Sequence, residues 1–158
     1  MTETAQTGYS KANTHILPIR IYYEDTDFSG VVYHGAYLKF LERGRTESMR
    51  VTGTTHQDML GLTPPLAFAV RQLDISYLAP ARIDETIEVH TKFVMAKGAR
   101  MRLRQQVFAQ SKLLLRANVE IACIDLNGRP KRIPKAVLDK MMPYLSNDLE
   151  SNPKRSQS

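Results

Sequence analysis

The chain reads as an α+β protein in which a strongly curved antiparallel sheet covers one long helix. Three observations carry that reading. A single stretch from Tyr33 to about Thr52 keeps a helical period, four later stretches alternate apolar with polar residues, and short turns join the last three of these. The order is strand, long helix, then four strands, which lacks the alternating units of a parallel sheet. Such a helix is the centre of the core.

Taken in order, Met1 to Asn13 is polar and has no apolar signal core, so residues 1–13 are expected to form a frayed tail without a secretory leader. Ile19 to Tyr23 is rich in β-branched and aromatic residues and reads as the first strand, after which Glu24 to Gly30 breaks both periods with turn formers. Ala36, Tyr37, Phe40, Leu41, Gly44, Ser48 and Val51 then recur at helical spacing, while Lys39, Glu42, Arg43, Arg45, Glu47 and Arg50 fall mostly elsewhere. Glu47 can pair with Arg43 or Arg50 on the exposed face, each pair adding ~0.2–0.5 kcal/mol. Gly53 supplies a left-handed stop after Thr52.

Thr54 to Pro65 carries Gly61 and Pro64-Pro65 and reads as a connection with at most one helical turn, around Gln57 to Leu60. Leu66 to Tyr77 and Thr86 to Met95 alternate as half-buried strands. Lys97-Gly98 turns into Arg100 to Gln110, Ser111-Lys112 turns into Leu113 to Asp125, and Asn127-Gly128 closes this three-strand meander. Pro134, at a first helical position, opens a short helix through Val137, Leu138, Met141 and Met142 that Pro143 stops. Residues 146–158 form a second polar tail, leaving 14–145 as one domain.

The whole-chain numbers narrow the classes. A length of 158 residues with 42% hydrophobic and 24% charged residues suits one globular core, and no run reaches the ~18 apolar residues of a membrane span. The sole cysteine, Cys123, excludes an intramolecular disulfide and, with the polar start, points to a reducing cytoplasm. A net charge of +6 favours an anionic partner, whether nucleic acid, acidic lipid, an acidic carrier protein or a phosphate-bearing small molecule. His15, His56 and His90 lack metal-ligand spacing, and Cys123 falls on an apolar strand face, where it reads as core.

Chemistry concentrates in Asp25-Thr26-Asp27-Phe28-Ser29-Gly30. These residues open like a calcium loop, but Ala36 stands where a bidentate glutamate is needed. The spacing of Asp25 and Asp27 also matches aspartyl-phosphate phosphatases, whose βα units and later acidic pair for magnesium this chain lacks. A third reading makes Asp27 a carboxylate at the helix entrance, with Gly30 letting backbone approach a ligand and N–H groups near Tyr33 and His34 facing it, an arrangement suited to thioester hydrolysis. The bland alternatives are an Asx-turn or cap at Asp27, which composition alone favours, and a histidine satisfied by local backbone at His34.

Tyr22-Tyr23-Glu24-Asp25-Thr26-Asp27, Gly30-Val31-Val32-Tyr33-His34, Tyr37, Phe40, Glu42-Arg43, Arg45-Thr46-Glu47, Tyr77-Leu78-Ala79-Pro80-Ala81-Arg82, Arg100 and Pro130 to Pro134 together resemble the hotdog-fold acyl-CoA thioesterases of the hydroxybenzoyl-CoA type, in particular the YbgC branch associated with the Tol-Pal system. The likeness extends from about Ile19 to Leu138. It implies that Asp27 is the catalytic carboxylate, as general base or nucleophile, that His34 opens the hotdog helix and lends its main-chain N–H, and that Tyr33 lies beside them. Phe28-Ser29 and Gly35 depart from the branch and bear on pocket volume and chain-length preference. The resemblance further implies a short-chain or aromatic acyl-CoA substrate, no cofactor or metal, no nucleic acid, a dimer or tetramer with sites between subunits, and a cytoplasmic protein that can sit beside the inner membrane. Arg82, Lys97, Arg100, Lys131 and Arg132 are the candidates for the coenzyme A phosphates. Two rivals stay open: a hotdog hydroxyacyl-thioester dehydratase, and a non-catalytic module that binds acyl-CoA or acyl carrier protein.

Overall fold

The computed structural model describes residues 6–146. Its sheet has six strands in the order β1-β2-β4-β5-β6-β3, every named pair antiparallel. The strands are β1 Tyr9–Lys11, β2 Thr14–Arg20, β3 Leu66–Tyr77, β4 Thr86–Lys97, β5 Arg100–Ala109 and β6 Lys112–Asp125. The helices are α1 Ala36–Thr52, α2 His56–Leu60 and α3 Lys135–Met141.

Two expectations near the chain start are corrected. The first core strand is Thr14–Arg20, and Ile21 to Tyr23 only finishes it: the Ile21 N–H donates to the Glu85 carbonyl at 2.8 Å and Tyr23–Asp25 winds a 3-10 turn. Pro18 hides this strand from a propensity reading, yet the β1 pairing stops at Ile16, so Pro18 has no ladder partner on that side among the described residues and its missing N–H is tolerated. Ordered structure also reaches into the stretch expected to fray. Ala12 and Asn13 both adopt positive φ, 48° and 63°, the two-residue hairpin geometry that matches strand twist, and so pair β1 with β2. Of the expected tails, residues 1–5 and 147–158 lie outside the described residues.

The long helix begins at Ala36 rather than Tyr33 and ends where Gly53 takes φ 103°. It buries Ala36, Tyr37, Phe40, Leu41, Gly44, Ser48 and Met49 against β2 and β4, so Met49 joins the expected face. Contact is close at Gly44, where a Cβ would stand 2.6 Å from Val89 Cγ1. Beneath it Gln105, fully buried on the apolar face of β5, donates to the Leu41 carbonyl and to Thr91 Oγ1, both at 2.9 Å, and accepts from Arg45 at 3.1 Å. Both polar atoms of the Gln105 side chain thus enter the core with partners. Around that network Phe40, Ile21, Leu41, Ile87, Leu103 and Leu115 are buried, each worth ~1.5–3 kcal/mol by transfer.

The meander forms as expected, with two local differences: a register shift between Phe93 and Met95 takes Met95 off the buried face, and another between Val107 and Phe108 buries both Leu114 and Leu115. Pro134 is the N-cap of α3, not its first helical residue, and Val137 and Met141 pack inward. The Lys140 ammonium donates to the Gly53 carbonyl at 3.1 Å, tying α3 to the end of α1. Strand β3 lies on the sheet edge with Val70 and Tyr77 exposed. From Thr86 to Lys97, β4 takes eleven steps of ~3.3 Å, so the two ends of the sheet lie ~36 Å apart before curvature.

Candidate active site

The loop between β2 and α1 is built from its own backbone. Asp25 caps the 3-10 turn, its Oδ2 accepting the Tyr22 N–H at 2.8 Å, and Thr26 Oγ1 donates to the Tyr23 carbonyl at 2.8 Å. A tight turn follows: the Asp27 N–H donates to Val31 at 3.0 Å, the Gly30 N–H to Asp27 at 3.1 Å, and Gly30 takes φ 80°. The returning strand is fixed to the segment before β4. Val32 donates to Ala81 at 2.9 Å, Ile83 to Gly30 at 3.1 Å, and Val31 pairs with Arg82. Tyr33 then donates to the Asp25 carbonyl at 3.0 Å and the chain enters α1.

Asp27 is exposed, and its Oδ1 accepts the Ser29 N–H at 2.8 Å and the Ser29 hydroxyl at 2.5 Å. This is the Asx-turn that composition favoured, and it sets the electrostatics. The Ser29 hydroxyl first, and its N–H second, hold the Asp27 carboxyl below the usual carboxylate range, so it stays ionised at neutral pH. Oδ1 is committed to the turn, and the Val31 N–H adds to the pull on the carboxylate.

At the helix start, Gly35 is the N-cap and offers no capping side chain. The Tyr33 carbonyl accepts the Ala36 N–H at 2.9 Å, and the His34 carbonyl accepts the Tyr77 hydroxyl at 3.1 Å. The N–H groups of His34 and Gly35 find no acceptor among the described residues, as a helix start leaves them. The Tyr33 and His34 rings lie 4.5 Å apart, and a Cβ on Gly35 would come within 2.5 Å of the Tyr33 ring. Tyr22, Tyr23, Phe28 and Tyr33 of this loop, with Leu78 and Ile83 on the segment before β4, are exposed large apolar residues, Phe28 being wholly in solvent.

The proposed site residues divide. Asp27, Tyr33 and His34 share one loop, and Arg82 is bound to it through Val31. Lys97, Arg100, Lys131 and Arg132 gather at the other end of the sheet, where the Ile133 N–H donates to Gly98 and the Lys131 N–H to Cys123, both at 2.8 Å. Arg100 is also engaged with Glu120 at 3.5 Å. One chain alone therefore does not place these four cations beside Asp27. Among the described residues no three His, Cys, Asp or Glu side chains are grouped to hold a metal, and Asp25 and Asp27 are turned to different backbone partners. Ser29 and Tyr77 belong to the stretches that carry the resemblance, but the sequence reading gives neither of them a role. The Asp-x-Ser spacing signals the first, whereas nothing local signals the second.

A family model described as thioesterase-like superfamily matches residues 22–141, which includes every part of this loop and most of the sheet. The chain belongs to the thioesterase-like superfamily. It is 41% identical over 126 residues to the acyl-CoA thioesterase YbgC of Haemophilus influenzae, covering 79% of this chain and 92% of that protein. It is 38% identical over 123 residues to the acyl-CoA thioester hydrolase YbgC of Escherichia coli O6:H1, covering 77% of this chain and 90% of that one. The crystal structure of a probable thioesterase from Bartonella henselae superposes with a TM-score of 0.74 at 40% identity, covering 77% of this chain and 99% of the other. As in these thioesterase-like relatives, the curved sheet with its single long packed helix is the hotdog fold.

Proposed function

We propose that this thioesterase-like chain hydrolyses acyl-CoA thioesters to a free acid and coenzyme A, with Asp27 as the reacting carboxylate. The observation that carries the reading is the joining, in one short loop, of an exposed, ionised carboxylate with two helix-start N–H groups that have no acceptor among the described residues. Either Asp27 takes a proton from a water that adds to the thioester carbon, or Asp27 adds itself and a later water cleaves the resulting mixed anhydride; in both routes the carbonyl oxygen gains negative charge to which the N–H groups of His34 and Gly35 can donate hydrogen bonds, and the C–S bond then breaks with the thiolate leaving to take a proton from solvent. A depressed pKa makes Asp27 a weak base that is present as the anion throughout the physiological range.

A second copy of the chain completes this site in our reading. The apolar residues of the Asp27 loop are open to water, the long strand β3 ends the sheet among the described residues, and the cationic cluster lies at the far end of the same sheet. An antiparallel dimer brings the partner's cluster toward the Asp27 loop, where it can meet the phosphates of coenzyme A. A short-chain or aromatic acyl group is the proposed cargo, on coenzyme A or on an acidic carrier protein. No helix of the described chain is long and apolar enough to cross a membrane.

The test is a turnover panel over acyl-CoA lengths and aromatic acyl-CoAs with Asp27→Asn and Asp25→Asn. Asparagine keeps the turn but not the charge, so Asp27→Asn should lower kcat ~10²–10⁴-fold while binding persists. Asp25→Asn should stay near wild type. Wild-type kcat in Asp27→Asn on every thioester sinks the assignment, and ligand binding without turnover by the unaltered protein points to the binding module instead.

A further inference from the structure

The active loop is held by its carbonyl groups as well as by its turns. A peptide unit is planar and trans, so its C=O and the next residue's N–H point in opposite directions. Holding the Tyr33 carbonyl through Ala36 therefore aims the His34 N–H, and holding the His34 carbonyl aims the Gly35 N–H. The first restraint is local to the helix start. The second arrives from β3, forty-three residues away, through the Tyr77 hydroxyl at 3.1 Å. Position 35 is a glycine with no side-chain cap, so little else nearby restrains that peptide.

Tyr77 is itself well placed to act as a fixed post. Its backbone is the last rung of β3, opposite Leu115, and the next two N–H groups, of Leu78 and Ala79, both donate to the Leu114 carbonyl. Its ring meets Tyr37 edge-on at 5.8 Å, and Tyr37 is buried against Phe40 at 5.9 Å. The ring thus leans on the core while the hydroxyl reaches out to the loop.

We propose that Tyr77 is a positioning residue for thioester hydrolysis, its hydroxyl clamping the His34–Gly35 peptide so that the Gly35 N–H keeps the direction needed to receive the charge developing on the substrate carbonyl oxygen. The inference rests on the assignment of this loop as the thioesterase site. Donors help a transition state most when their orientation is settled before reaction, and a loosened donor loses part of that benefit. The hydroxyl does not touch substrate; it acts through a peptide plane.

Tyr77→Phe removes the hydroxyl and keeps the ring, and it should be assayed beside Asp27→Asn and Tyr77→Leu. The expected result for Tyr77→Phe is a kcat lower by about tenfold, KM within about twofold, an unchanged melting temperature, and an acid limb of the pH profile at its wild-type position. Tyr77→Leu, which also removes the contact with Tyr37, should lower both kcat and melting temperature. Wild-type kcat in Tyr77→Phe with an inactive Asp27→Asn overturns the positioning role and leaves the site intact. A loss of kcat in Tyr77→Phe that follows a fall in melting temperature makes the role merely structural and also overturns it. Full activity in Asp27→Asn removes the site, and this inference with it.

Discussion

Ser29 makes Asp27 testable by pH. Its hydroxyl and N–H lower the Asp27 pKa, so wild-type activity should persist into acid and fall only as pH drops through that depressed value. Ser29→Ala removes the larger cause, so the pKa rises and the acid limb of kcat/KM should move to higher pH; an unmoved limb means that Asp27 does not govern it. Burial also pushes the His15 imidazole below its ordinary pKa of about 6.5, against the raising effects of the Thr7 carbonyl and Glu47. The folded protein then keeps His15 neutral where the unfolded chain takes up a proton, so its contribution is complete above about pH 6.5 and declines on acidification. Melting temperature should fall between about pH 7 and pH 5.5, and less steeply in His15→Gln. The proposed site residues Asp27, Tyr33 and His34 stand out in sequence because they are nearly contiguous. The positioning role proposed for Tyr77 does not, because it depends on a contact with His34 that exists only once β3 lies beside the helix start.

The central helix depends on close approach to the sheet. Gly44→Ala drives a methyl group toward Val89 Cγ1, and overpacking of this kind costs ~1–3 kcal/mol, which a denaturant midpoint will register. Gln105→Leu strips partners from the Leu41 carbonyl, Thr91 and Arg45, and should cost about as much, ~1–3 kcal/mol, through unsatisfied polar groups. A neutral result in both would remove the network as a determinant of helix placement. The helix itself was readable from period and from Gly53, and four strands from alternation and turns. Gln105 sat unnoticed because a polar residue on an apolar strand face looks like an interruption until the helix above supplies its acceptor. Pro18 and the Ala12-Asn13 turn concealed the start of the sheet for the reverse reason, since local preference there is overruled by an open edge and by hairpin twist.

At the scale of the molecule, strand register decides what sequence could not: Arg82 stands at the Asp27 end of the sheet and Lys97, Arg100, Lys131 and Arg132 at the other. Light scattering at low micromolar concentration should therefore give a multiple of 17.9 kDa for the active species; full activity at the mass of one chain contradicts a shared site. KM for acyl-CoA should rise with ionic strength as salt screens phosphate contacts. A flat KM, with Lys131→Ala and Arg132→Ala silent, clears the cluster of that role. The separation of acid from cations has a genetic corollary. If each active centre draws its carboxylate from one polypeptide and its cations from the other, two crippled alleles need not stay crippled together. Co-expressed Asp27→Asn and Lys131→Ala/Arg132→Ala subunits would pair into hybrids carrying both lesions in one centre and neither in the other, so intragenic complementation would read out the architecture without any structure of the assembly.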